Sequence, residues 1–346
     1  MPGEALTYQA AGVDIDEAAR ALRSISANLK ATYTDDVVSG IGGFGGLFRG
    51  SFPDFDRPLL VSSIDGVGTK TKVAAMVGNF RGLGEDIVNH CINDILCQGA
   101  KPLFFLDYYG TSRFSGAVFE QVILGMVQAC QATGTALIGG ETAEMRDVYH
   151  DEEVDIVGTI VGIVDAEKKL PRGKMQPGDA VIGLASDGLH TNGFSLARKA
   201  LFEMGGMSVR DEIPELGVTI GEELLRPHKC YLSSVYPLIQ EMPAIYAIAH
   251  VTGGGLYDNL PRVMPSDMQT VIERRAWTPL PIFKLIQAAG RIPDNEMFRT
   301  FNMGIGMVLF VDKDAAAAVV QRLNQSGEAA AVIGIVQPGP HDVQIV

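Results

Sequence analysis

Cysteine is scarce in this chain. The four residues, Cys91, Cys97, Cys130 and Cys230, form no Cys-x-x-Cys pair, which argues against a structural zinc site, a disulfide framework or a dithiol redox motif. They read as buried thiols, because free cysteine behaves as a small hydrophobe. Positive charge is also in the minority, with 28 Lys and Arg against 41 Asp and Glu, a net charge of −13 and no basic run. That leaves no polyphosphate-binding stripe and argues against a nucleic-acid partner. Apolar runs such as Met303–Val311 fall short of the ~20 residues a membrane-spanning helix needs. The opening residues show no basic head followed by an apolar core, the pattern of a secretory signal. A soluble, cytoplasmic chain with no membrane partner is expected.

What the chain has in excess is glycine, 40 residues in 346 against a usual share of about 7%. Six of them stand between Gly40 and Gly50 and predict a mobile loop there, since glycine does not hold a regular element. A helix is expected from Asp16 to about Lys30. Strands are expected at 58–65, 101–110, 135–141 and 154–165, with helices at 85–99 and 116–134 between them. In the helix at 85–99 the apolar stripe is Ile87, Val88, Cys91, Ile92, Ile95 and Leu96, with Asp86, Asn89, His90, Asn93 and Asp94 on the other side. The second half repeats the mixture, with strands near 179–186, 244–251, 304–311 and 329–337 and helices at 194–205, 280–290 and 313–327. Alternation of strand and helix predicts a mixed α/β (α+β) fold of two domains, each a mixed sheet covered by helices. The charged, proline-bearing stretch Lys168–Asp179 marks the boundary, giving domains at 1–170 and 171–346.

The segment Ser62–Lys72, SSIDGVGTKTK, invites comparison with a Walker A phosphate loop and fails it. Lys70 follows Thr69 rather than glycine, and Ile64 stands where the first glycine belongs. What remains is Asp65 at a strand end, then Gly66 and Gly68, then a hydroxyl at Thr69 and an ammonium at Lys70, a set able to meet a metal and an anion. Similar glycine-flanked polar loops carry Glu141 and Glu144, then Asp187, His190, Thr191 and Asn192, then His250 and Thr252. Carboxylates are the oxygen donors Mg²⁺ prefers, and loops rich in exposed N–H groups complement phosphate. Together they predict a phosphate and metal site at one edge of the sheets. His190 and His250, in such loops, are candidate proton carriers. His90, His150, His228 and His341 have no such context and read as solvated or structural.

Eight segments in order, AGVDID, GIGGFGGLF, DGVGTK, NDILCQGAKPLFFLDYYG, GGETAEM, GLHTNGFSLAR, HVTGGGLYDNLPRV and FRTFNMGIGM, run from Ala11 to Met307. Together they resemble the phosphoribosylformylglycinamidine cyclo-ligase family of purine biosynthesis. The resemblance implies an ATP-dependent cyclo-ligase that closes formylglycinamidine ribonucleotide to aminoimidazole ribonucleotide through phosphorylation of the formyl oxygen, forming a C–N bond. It implies ATP and Mg²⁺, an N-terminal domain that binds them, and a homodimer joined through the N-terminal sheets. Position by position, Asp65, Asp94 and Glu141 resemble metal residues. Gly66, Gly68, Thr69 and Lys70 would face phosphate, while Gly42, Gly43 and Gly45 belong to a segment that closes over the nucleotide. His190, Thr191 and Asn192 resemble substrate-side residues, with His190 as proton acceptor for the attacking nitrogen, and His250 with Thr252 to Gly255 lines the same cleft.

The chain departs from the family's pattern at Gln9, Ala10, Ser26 and Asp187. Relatives of the superfamily offer other readings, a thiamine-monophosphate kinase-like enzyme or a non-catalytic nucleotide-binding regulator. A selenophosphate synthetase would need a reactive Cys in its N-terminal loop, and the first cysteine here is Cys91. A hydrogenase-maturation protein would need a C-terminal cysteine, and this chain ends DVQIV.

Overall fold

The structure is a computed structural model that describes residues 15–346 apart from positions 40 and 152. Gln9, Ala10, most of the AGVDID motif and Gly40 therefore lie outside the described residues. The first half runs α1 (Ile15–Ser24), α2 (Ser26–Lys30), β1 (Pro58–Gly66), α3 (Lys70–Val77), α4 (Arg81–Leu96), β2 (Lys101–Thr111), α5 (Gly116–Thr133), β3 (Ala136–Glu144) and β4 (Val154–Asp165). Its sheet has the order β1-β4-β2-β3, with β2 and β3 parallel and the other pairs antiparallel. Between β2 and β3 lies α5, the crossover that parallel neighbours require.

The second half continues with β5 (Ala180–Ala185) and α6 (Phe194–Arg198), then the two-residue strands β6 (Glu212–Ile213) and β7 (Val218–Thr219), α7 (Ile220–Leu224) and α8 (Leu232–Glu241). It closes with β8 (Ile245–His250), α9 (Gly255–Asn259), β9 (Met268–Ile272), α10 (Pro281–Gly290), α11 (Asp294–Thr300), β10 (Ile305–Val311), α12 (Ala316–Gln325), β11 (Ala330–Pro338) and β12 (Val343–Ile345). Six strands pair in the order β12-β9-β11-β5-β10-β8. β10 reads IGMVLFV and is buried at every residue, as a strand covered on both faces must be. The mixed α/β class expected from the sequence is the one observed.

Four details differ from the sequence reading. The first helix breaks at Ile25 into α1 and α2. The helix expected over 194–205 tightens first as α6 and then widens into a π turn, Lys199–Met204. Segment α8 was not expected, since Pro237 inside it masks the helical signal. Likewise α3 begins at Lys70, inside the segment read as a phosphate-facing turn.

The face of α4 opposite its apolar stripe is not solvated. Asp86 and Asn93 are fully enclosed, because this face packs on the second half. Asn89 Nδ2 donates to the His228 carbonyl at 2.7 Å, and Asn93 Nδ2 donates to the Lys229 carbonyl at 2.8 Å. The Asn93 side-chain oxygen in turn accepts from the Tyr231 N–H at 3.0 Å. Buried polar groups that find such partners stabilise an interface and define its register. On its other side α4 lies against α5 so closely that a Cβ at Gly84 would collide with the Val122 carbonyl.

Candidate functional site

Strand β1 delivers Asp65 near its last residue, and α4 presents Asp86, His90 and Asp94 at i, i+4 spacing along one face. The loop after β5 brings His190 and Thr191, the loop before α8 brings His228, and the end of β8 brings His250. All of them but Asp86 and His190 meet in one hydrogen-bonded chain. Asp65 Oδ2 lies 3.0 Å from His90 Nε2, and His90 Nδ1 lies 2.8 Å from Thr191 Oγ1. The same hydroxyl lies 3.2 Å from His228 Nδ1. His228 Nε2 faces His250 Nε2 at 2.9 Å, and His250 Nδ1 donates to Asp94 Oδ1 at 2.8 Å. Asp94 Oδ2 accepts from Ser63 Oγ at 3.0 Å, and Asp65 Oδ1 accepts from the Gly66 N–H at 2.7 Å.

The electrostatics follow from burial opposed by partners. For Asp65 and Asp94, burial pushes the carboxyl up. The hydrogen bonds and charges of His90 and His250 outweigh it, so both stay below the usual carboxylate range. Burial lowers His90, but the two aspartates prevail and raise it. No carboxylate bonds the ring of His190 or of His228 among the described residues, and burial holds both well below an ordinary imidazole; His250 is lowered in spite of Asp94. The signs give a pH dependence. A histidine lowered on folding contributes stability that is present above the unfolded value of ~6.5 and lost as pH falls, because the unfolded chain then binds the extra proton. His90, raised, works the other way, contributing below ~6.5 and losing its contribution as pH rises through its folded value. Asp107, whose carboxyl burial pushes up to about 7, opposes them. In an Asp107→Asn chain the three lowered histidines against one raised predict a lower urea midpoint at pH ~5.5 than at ~7.5, and a higher midpoint at the acid end would contradict it.

A cavity of about 630 Å³ opens beside Asp94 and His250 and is lined also by Ser62, Ser63, Asn259 and Arg262. The TGGG turn beside it is held by Asn259, whose Nδ2 donates to the Gly255 carbonyl at 2.8 Å and the Gly253 carbonyl at 3.1 Å. Here Gly254 and Gly255 have φ of +94° and +58°, and a Cβ on Gly255 would strike the Phe298 carbonyl. Asp65 and Asp94 keep oxygen lone pairs beyond their present contacts, with side chains 42% and 28% exposed. A pair of carboxylates so placed suits a hard dication such as Mg²⁺.

Several expected residues do not join this group. Lys70 is fully buried, its ammonium 2.8 Å from Asp86 and bonded to the carbonyls of Arg226 (2.7 Å) and His190 (3.2 Å). It faces an internal carboxylate, not an open phosphate site, because α3 starts there and turns the side chain inward. The Gly66 N–H is taken by Asp65, while Gly68, at φ +68°, makes the turn into α3, and Thr69 Oγ1 lies 3.0 Å from Ser195 Oγ. Glu141 sits on β3, where the register Asp65↔Gly158↔Asp107↔Gly140 sets it three strand spacings, about 14 Å, from Asp65. It is exposed and cannot share one ion with Asp65 and Asp94 in the same chain.

The glycine loop lies on that far side too. Phe48 packs on Phe104 with ring centroids 5.1 Å apart, a Cβ on Gly46 would meet Ile138 at 2.9 Å, and Ser39 Oγ accepts from the Leu47 N–H at 2.7 Å. Gly42, Gly43 and Gly45 therefore stand apart from Asp65. Asn192 is half-buried beside Thr191, 3.5 Å away. His190 lies behind His228, its ring stacked on it at 4.1 Å, and it does not line the cavity. His90, His228 and Asp86 were missed as partners. The spacing of 86, 90 and 94 on one helix was a usable signal, whereas His228 had none in its own neighbourhood.

Residues 54–164 match the family described as AIR synthase related protein, N-terminal domain, and residues 176–346 match its C-terminal domain. The chain is 44% identical over 338 residues to a phosphoribosylformylglycinamidine cyclo-ligase of Alkaliphilus oremlandii, covering 98% of this chain and 99% of that one. A protein of the same name from Pseudothermotoga lettingae is 46% identical over 341 residues, with 98% and 99% covered. Among solved structures, a thiamine-monophosphate kinase from Stenotrophomonas maltophilia superposes with a TM-score of 0.70 at 17% identity, covering 94% of this chain and 95% of that one. Hydrogenase maturation protein HypE in complex with ATP gives 0.67 at 18%, covering 96% and 92%. At those identities the two structures speak for the fold alone.

Proposed function

Because the chain belongs to the phosphoribosylformylglycinamidine cyclo-ligase family, we propose that it closes formylglycinamidine ribonucleotide to aminoimidazole ribonucleotide in purine biosynthesis. ATP is consumed to ADP and phosphate, and a C–N bond is formed. The observation that carries this reading is the similarity to cyclo-ligases of 44% and 46% identity across 98% of the chain. When bound, ATP supplies the phosphoryl group that makes the formyl oxygen a leaving group, and Mg²⁺ supplies positive charge beside it.

The chain's own work is positioning and charge placement. Asp65 and Asp94 hold the metal, and Gly68 and Thr69, at the start of α3, face phosphate. His250 lines the cavity and is oriented by Asp94, so it takes the proton lost by the attacking amidine nitrogen. His190, set behind His228, positions that ring. Incubating the purified chain with formylglycinamidine ribonucleotide, Mg²⁺ and ATP should yield aminoimidazole ribonucleotide and ADP in equal amounts. ATP consumption without the imidazole would favour a kinase-like reaction, and nucleotide binding without turnover a regulator.

A homodimer is part of the proposal. Among the described residues β1 and β3 are the edges of the four-stranded sheet, and Leu60 and Ile64 on β1 are 65% and 66% exposed, an apolar surface that a second copy would cover. The double substitution Leu60→Glu with Ile64→Glu should halve the mass measured by light scattering after gel filtration. An unchanged mass would place any association elsewhere. Among the described residues no helix is long and apolar enough to cross a membrane.

A further inference from the structure

We infer that Arg262 holds the phosphate of the ribonucleotide substrate, which makes the cavity beside Asp94 a site for a sugar phosphate monoester. The inference deepens the proposed reaction and rests on it. That reaction brings two anions to one metal, ATP and the ribonucleotide, and the fold offers them different walls. Among the described residues Asp65, Gly68 and Thr69, the side assigned to ATP phosphate, do not line the cavity. Asp94 does line it, together with residues 60–63 of the edge strand β1, Cys97 and Gln98 after α4, and the end of β8. Its volume of about 630 Å³ lies in the range that small-molecule sites occupy. It is room for the second reactant.

A dianion entering that cavity needs a counter-charge. The chain carries a net charge of −13, and Arg262 is the one Lys or Arg among the described residues that line the cavity. No carboxylate pairs with its guanidinium among the described residues. Its Nη1 donates instead to Asn259 Oδ1 at 3.1 Å. Asn259 is 3% exposed and its Nδ2 holds the Gly253 and Gly255 carbonyls, so one buried amide fixes the guanidinium against the TGGG turn. Held at one corner, the planar fork keeps its other N–H donors for two phosphate oxygens, a geometry that lysine does not copy. Both charges reach the same wall, since burial and Asp94 push the Cys97 thiol up and Arg262 pulls it down. Binding energy gathered at the unreactive phosphate is then available to position the formyl end.

The test compares the full chain with Arg262→Met and Arg262→Lys, each checked by its melting profile; the residue is exposed, so both should fold. Arg262→Met should lower kcat/KM for formylglycinamidine ribonucleotide roughly 10–100-fold, with the KM for ATP within about threefold of wild type. Arg262→Lys should recover part of the loss. The riboside that lacks the phosphate should be turned over equally poorly by the wild-type and Arg262→Met chains, which closes the cycle on that one contact. A second probe needs no turnover. With Mg²⁺ removed, the wild-type chain should broaden the phosphorus resonance of ribose 5-phosphate saturably, and Arg262→Met should not. The inference is overturned by equal broadening with both chains or by none with the wild type. It is equally overturned by a riboside loss as large as the ribonucleotide's, which would mean that Arg262 only shapes the TGGG turn, or by a loss that falls on the KM for ATP. A wild-type chain that makes no aminoimidazole ribonucleotide would sink the proposed reaction instead, and the ribose 5-phosphate titration would still decide the role of Arg262.

Discussion

Lys70→Met is expected to destabilise the chain by about 3–5 kcal/mol, the usual cost of removing one partner from a buried ion pair. Lys70 and Asp86 are both fully enclosed and 2.8 Å apart, joining α3 to α4. The ammonium also gathers the Arg226 and His190 carbonyls, so it ties the first half to two loops of the second. Burial lowers the lysine and raises the aspartate, each opposed by the other's charge. Methionine fills much of the same volume but leaves Asp86 with the His228 N–H and no counter-charge. Denaturant unfolding should show the loss as a lower midpoint at unchanged slope. Lys70→Met with Asp86→Leu should recover part of it, since an apolar pair of similar volume lacks the unpaired charge. A single variant as stable as the wild type would mean that the pair carries no net stability. It would also restore Lys70 as a candidate phosphate ligand.

The misreading of Lys70 shows where local sequence stops being informative. Gly-Thr-Lys beside a strand end looks the same whether the ammonium meets a phosphate or an internal carboxylate. The deciding partner, Asp86, is on another helix, and Arg226 and His190 are on another half of the chain. Regular elements with a clear period, such as β1, α4, β2, α5 and β10, were legible because one apolar face or one continuous apolar run sets them. Segment α3 was not, since Lys70, Thr71 and Lys72 show no helical stripe even though Lys70 and Thr71 are buried.

Among site residues, Asp65, Thr191 and His250 could be read from glycine-flanked strand ends. Asp94 could be read from the resemblance, and its meeting with His250 could not. The polar face of α4 looked like a solvated surface and is a domain interface, a distinction that periodicity does not make. Glu141 and the glycine loop illustrate the opposite error. Each carries a motif, yet strand order places both on the far edge of the sheet from Asp65.

Asp94→Asn should lower ATP-dependent turnover by about 10²–10³-fold, equivalent to roughly 2.7–4 kcal/mol of lost transition-state stabilisation, while the chain stays folded. The substitution is nearly isosteric. The amide oxygen can still accept from His250 Nδ1, so the β8 end keeps its anchor. What disappears is charge. Asp94 is the carboxylate that orients His250, helps to raise His90, and stands with Asp65 at the proposed metal position. A neutral amide weakens all three roles, and the loss should fall on kcat and on the Mg²⁺ concentration needed for half-maximal rate. Thermal melting should move by no more than a few degrees, because a half-buried carboxylate with good partners contributes on the order of 1 kcal/mol net. Turnover within threefold of wild type, at normal Mg²⁺ dependence, would remove Asp94 from the machinery and leave it as an interdomain hydrogen-bond acceptor.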